Sequence, residues 1–108
     1  MAYLQNFVFL DENSTVTTSN PLVINSSAET LKLSVAGSGT LNVTVKGKID
    51  RDAADFYDMA SVKLEDYSVV ATITAEGLYA VDVQGIKEVE IVNGGNAGDV
   101  TVFGVVVS

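Results

Sequence analysis

Two stretches of this chain alternate between apolar and polar positions with a period of two. Leu31, Leu33 and Val35 interleave with Lys32, Ser34 and Ala36; after a turn at residues 37–40, Leu41, Val43, Val45 and Ile49 interleave with Asn42, Thr44, Lys46 and Lys48. Such alternation marks strands with one face on a core and the other in water. Gly47 takes an inward position of the second run, which points to a bulge or a close approach at that site. From residue 67 onward, β-branched and aromatic runs at 67–73, 78–83, 86–92 and 100–107 are separated by Gly- and Asn-containing turns. Runs of that length between such turns read as an antiparallel meander.

No window carries apolar residues at the three-and-four spacing of an amphipathic helix, and residues 50–58 have room for one helical turn at most. The pattern therefore predicts an all-β fold: an antiparallel two-sheet β-sandwich of seven to nine strands, jelly-roll or immunoglobulin-like, with a small barrel as the alternative. Its predicted core is Leu31, Leu33, Val35, Leu41, Val43, Val45, Val81, Val83, Val89, Ile91, Val100 and Val102.

Both ends of the chain depart from alternation. Phe7-Val8-Phe9-Leu10 and Val105-Val106-Val107 are apolar on both parities, whereas a strand with one wet face is polar at every second residue. One small core cannot cover both faces of both strands, and exposed they would form an aggregation-prone surface. This predicts a homo-oligomer joined through the terminal strands, with Phe7, Val8, Phe9, Val105, Val106 and Val107 at the interface. Between the first strand and the first alternating run, residues 11–28 are rich in Ser, Thr and Asn and hold the only proline, Pro21. They read as a polar loop, or an extended arm ordered by a partner.

Length and charge narrow the partners. At 108 residues the chain makes one domain, residues 1–108, for which area scaling gives roughly 5,700 Å² of exposed surface and a single modest core. There is no cysteine, so packing alone must hold the fold. Fourteen carboxylates against six Lys and Arg leave a net charge of −8, and the six cations are scattered. That surface repels phosphate, so neither nucleic acid nor an anionic membrane is an expected partner. No apolar run approaches the roughly 20 residues of a membrane span, and the first ten residues lack the basic start of a signal peptide. The sequons at Asn13, Asn25 and Asn42 are discounted accordingly.

The residues also limit the chemistry. Without His or Cys there is no imidazole base, no Ser-His or Cys-His nucleophile and no usual transition-metal ligand set. Asn93-Gly-Gly-Asn-Ala-Gly98 is glycine-rich, but it precedes a strand, whereas a phosphate loop opens a helix; it reads as a hairpin turn. Asp50, Asp52, Asp55 and Asp58 fall within nine residues and offer oxygen ligands to Ca²⁺. Ala54 and Asp55 stand where an EF-hand loop needs a ligand and a glycine, and Arg51 intrudes, so the loop reads as solvated acid. Tyr3, Tyr57, Tyr67 and Tyr79 can stack on a sugar or fill half-buried strand positions. No catalytic residue, cofactor or metal site is expected, and no enzymatic activity.

Residues 39–50, Phe56-Tyr-Asp-Met-Ala60, residues 73–83, residues 85–91 and Gly98-Asp-Val-Thr-Val-Phe-Gly104 together resemble, in pattern and order, the small β-sandwich modules of tailed-bacteriophage virion proteins. Those modules occur in head fibres, capsid decoration proteins and tail or baseplate attachments. The resemblance covers about residues 30–107 and carries no active-site motif, so no functional residue transfers with it. It implies a non-enzymatic structural protein located in the virion and assembled in the bacterial host cytoplasm. Its expected role is an auxiliary capsid protein, trimeric and bound to the major capsid or another virion protein. The alternative is a carbohydrate- or receptor-binding module of a tail fibre or baseplate.

Overall fold

The computed structural model describes residues 4–24, 28–49, 54–95 and 98–107. They form eleven strand segments and no helix: β1 (Leu4–Asn13), β2 (Thr17–Thr18), β3 (Leu22–Val23), β4 (Thr30–Gly37), β5 (Val43–Lys48), β6 (Tyr57–Met59), β7 (Ser61–Lys63), β8 (Val69–Val70), β9 (Gly77–Asp82), β10 (Glu88–Asn93) and β11 (Val100–Val107). Five of these are only two or three residues long, which is why alternation alone gave a smaller number. Two antiparallel sheets result, one of six strands ordered β1-β11-β4-β9-β7-β8 and one of five ordered β2-β10-β5-β6, with β3 also on β10. The architecture is the expected two-sheet sandwich.

The expected meander is not present. β9 and β11 lie in the six-stranded sheet while β10, between them in sequence, lies in the other. The chain therefore passes from one sheet to the other after β4, after β9 and after β10. Turn residues are the same for a hairpin and a crossing between sheets. At 83–86 the Ile86 N–H donates to the Val83 carbonyl (2.9 Å) with Gly85 at φ 84°, a turn that favours glycine, yet the chain then leaves the sheet.

The core is where the pattern put it. All twelve predicted residues are buried, joined by Phe9, Leu10, Leu22, Ile24, Ala28, Ile73, Tyr79 and Val106. Total exposed area is 5947 Å², against the roughly 5,700 Å² that area scaling gives. Gly47 keeps its register opposite Val89, so it marks a close approach and not a bulge. A side chain there would run into the Met59 sulfur and within 3.1 Å of Ile86.

The bulges lie in β1. Val8 pairs with Phe103 and Leu10 with Val102, leaving Phe9 as an extra residue, and a second shift separates Leu10 from Asn13. The first bulge lets Phe9 and Leu10 both point inward although they are adjacent. Glu12, at φ 48°, makes the second, and its N–H donates to Thr101 Oγ1 (3.0 Å). An edge strand kinked twice in this way is a poor template for edge-to-edge pairing.

Residues 14–24 are extended, as expected, but their partner is this chain's own β10. Thr17 and Thr18 pair with Asn93 and Val92, and Leu22 and Val23 pair with Val89 and Glu88. Leu22 and Ile24 are buried in the core. Between the two short strands, Ser19 holds Ile91 with both backbone and side chain: its N–H donates to the Ile91 carbonyl (2.8 Å), and its Oγ accepts from the Ile91 N–H (2.9 Å) and donates to the Asn20 carbonyl (3.1 Å). These three inward-facing anchors suffice to lay a polar segment along a sheet edge, and composition conceals them. Residues 25–27 of the expected arm lie outside the described residues.

Candidate functional site

The two outer faces of the sandwich differ in kind. On the five-stranded sheet, outward residues form an ionic ladder: Glu88 stands opposite Lys48, and Glu90 opposite Lys46, which in turn stands opposite Asp58. Lys46 Nζ is 3.4 Å from the Asp58 carboxylate and Lys48 Nζ 3.8 Å from that of Glu88. Lys48 also sits over the Phe56 ring, 4.7 Å from its centroid. Partial burial holds the Glu90 carboxyl above its ordinary range, with Lys46 and Lys48 opposing that shift. The Lys48 and Glu88 side chains are each only 12% exposed, so the cross-strand pairing satisfies charges that water reaches little.

The outer face of the six-stranded sheet is built differently. One cross-strand row runs Val8, Phe103, Ser34, Leu78; the next runs Asn6, Val105, Lys32, Ala80, Val62, Val69. Neither row contains a carboxylate, and Lys32 is the one charge in them, in a protein with fourteen acids. Val8 is 54% exposed, Phe103 47%, Leu78 58% and Val69 68%. Leu64, Leu78, Phe103 and Val105 line a shallow apolar hollow of about 160 Å³ with the Lys32 stem at its side. Exposed apolar side chains in adjacent rows make this face a candidate interaction surface.

This geometry divides the six residues expected at an oligomer interface. Val8, Val105 and Val107 point outward on β1 and β11 and belong to the apolar face or its margin. Phe9 and Val106 are core residues, 6% and 0% exposed, and are not available to a partner. Phe7 is half-buried and packs against the core, its ring edge-on to Phe9 at 4.8 Å between centroids. Their apolar character is explained inside the domain: Phe9 lies over Gly104, where a Cβ would come within 2.7 Å of its ring. Phe103, Leu78, Leu64, Val62 and Val69 were not expected at the surface. Each sits in a run that alternates poorly, but only the pairing of β9 and β7 beside β4 brings them onto one face.

A second concavity lies at the end of β5 against β6. Met59 and Ile86 close over Gly47 and form its base, and Ile49 and Tyr57 stand at its walls, each 71% exposed. Asp55, Asp58 and Lys48 complete the lining of a hollow of about 320 Å³. Of the four clustered aspartates, Asp50 and Asp52 lie outside the described residues. Among the described residues no three acids come together as a metal cluster. The tyrosines separate as well. Tyr79 is buried and donates to the Ala75 carbonyl (2.7 Å), Tyr67 is an exposed turn residue at φ 61°, and Tyr3 lies outside the described residues.

Neither a protein-family model nor a curated protein matches this chain. Two solved structures do. The SPBc2 prophage-derived protein YomS superposes with a TM-score of 0.89 at 19% identity, over 100% of this chain and 96% of YomS. The PBSX exported protein XepA superposes with a TM-score of 0.89 at 22% identity, over 99% of this chain. The match spans only 38% of XepA. At such identities the likeness is one of fold, and the chain has the fold of YomS and of one portion of XepA.

Proposed function

We propose that this chain is a non-enzymatic structural protein of a bacteriophage particle, an auxiliary component that associates with copies of itself through the outer face of its six-stranded sheet. The observation that carries this reading is the contrast between that face and its counterpart. A chain of net charge −8 repels its own copies everywhere except where carboxylates are missing. The two rows around Phe103 and Val105 are such a place, and Lys32 adds a positive charge there that suits an acidic neighbour. Covering about four of these apolar side chains contributes on the order of 6–10 kcal/mol before association costs. The phage assignment is supported by the fold shared with a prophage-derived protein, and attachment to the capsid is the finer reading.

Purified phage particles test the assignment. Mass spectrometry of gradient-purified virions should find the protein in stoichiometric amount, and labelled antibody should place it on the head by electron microscopy. Particles that lack the protein while the lysate contains it would remove the virion role.

A further inference from the structure

The hollow between β5 and β6 has no part in the docking face, and its chemistry is of another kind. We infer that it is a saccharide-binding site that takes a neutral pyranose ring, with Tyr57 as its stacking platform. Its volume of about 320 Å³ is at the lower end of the range for small-molecule sites. The base is apolar, formed by Met59 and Ile86, which pack closely over Gly47. The carbon-bound hydrogens of a sugar ring make an apolar face that fits such a base and an exposed phenol ring.

The rim supplies what the hydroxyl groups need. Asp55 and Asp58 are acceptors, the Tyr57 hydroxyl is donor and acceptor, and the Lys48 ammonium is a donor. Two carboxylates against one ammonium disfavour an anionic ligand. That ammonium is already engaged by Glu88 and by the Phe56 ring. Asp58 is likewise engaged by Lys46, and a purely apolar ligand would bring no partner to the Asp55 carboxylate and the Tyr57 hydroxyl. A neutral polyhydroxylated ring with one apolar face meets both halves of the lining.

The experiment is a two-dimensional amide NMR titration of the full chain. The probes are methyl glucoside, methyl galactoside and N-acetylglucosamine, each taken to about 50 mM, where millimolar binding saturates. At least one should shift the amides of Gly47, Ile49, Tyr57 and Ile86 together along a saturable curve. Tyr57→Ala should weaken that probe at least about 10-fold while leaving the remaining spectrum in place. Tyr67→Ala, which removes an equally exposed ring elsewhere, should leave the binding unchanged. No saturable shift with any of the three probes would overturn the assignment, as would shifts that persist undiminished in Tyr57→Ala. Self-association through the other sheet should be the same in both variants, so the two readings fail separately.

Discussion

Asn93 is the most informative single position for how this fold is held. It ends β10, faces inward and is 0% exposed, a polar side chain in a core position. Its amide nitrogen donates to Asn13 Oδ1 (2.6 Å) and to the Thr15 carbonyl (3.2 Å), and its Oδ1 accepts from the Gly95 N–H (3.0 Å). Asn13 reaches this position because the second bulge of β1 reverses its facing, and its own amide donates to Thr17 Oγ1 (2.9 Å). One amide thus ties the end of β1, the corner before β2 and the turn after β10. Asn93→Ala removes three hydrogen bonds and leaves partly buried groups short of partners, a loss of about 2–4 kcal/mol. In urea the midpoint should fall by about 1–3 M with the slope unchanged. Amide exchange should accelerate first at Thr17, Thr18 and Ser19. Asn93→Asp should be worse than alanine at neutral pH, because a carboxylate would face two oxygen acceptors without water. Protonation restores a donor, so the folded state binds that proton more tightly than the unfolded chain, and the penalty should shrink as pH falls toward about 3. A loss in Asn93→Ala below about 1 kcal/mol, with exchange at residues 17–19 unchanged, would refute the reasoning.

Gly104→Ala places a Cβ 2.7 Å from the Phe9 ring and 3.1 Å from Leu31. It should cost about 1–3 kcal/mol in denaturant unfolding and less when combined with Phe9→Leu, a non-additive pair. Asp66 accepts from the Ser68 hydroxyl (2.7 Å) and the Ser68 N–H (3.0 Å), which hold its carboxyl below the ordinary range. A lowered folded value stabilises at pH above the unfolded value and is lost as pH falls through the folded one. Asp66→Ala should therefore lower the melting temperature at pH 7 and leave it unchanged near pH 2.

Most of the fold was legible because it is written in alternation. Leu31, Leu33 and Val35, or Val43 and Val45, have one parity in the core and the other in water, and no tertiary knowledge is needed to see it. The sheet to which each strand belongs was not legible, since Gly85 and Asn93-Gly94-Gly95 permit a crossing between sheets as readily as a hairpin. The doubled apolar parity at Phe7–Leu10 had two explanations, a second buried face or a bulge. The bulge at Phe9 is the one realised, and nothing local distinguishes them. At Val105–Val107 the same pattern has the other cause: Val106 fills the core while Val105 and Val107 look outward. Asn93 was hidden because Asn-Gly reads first as a turn. The proposed docking face was half visible at Val8 and Val105, and the rest of it, Phe103, Leu78 and Val69, depends on strand order.

The outer face of the six-stranded sheet is the centre of this account, and the mass of the protein in solution tests it most directly. Sedimentation over a wide concentration range should give a mass several times that of one 11.3 kDa chain. Phe103→Asp with Leu78→Asp changes only outward positions, so this variant should sediment as a single chain with an unchanged β-sheet circular dichroism spectrum. A wild-type mass of one chain at every concentration, or an assembled mass that survives both substitutions, would contradict it.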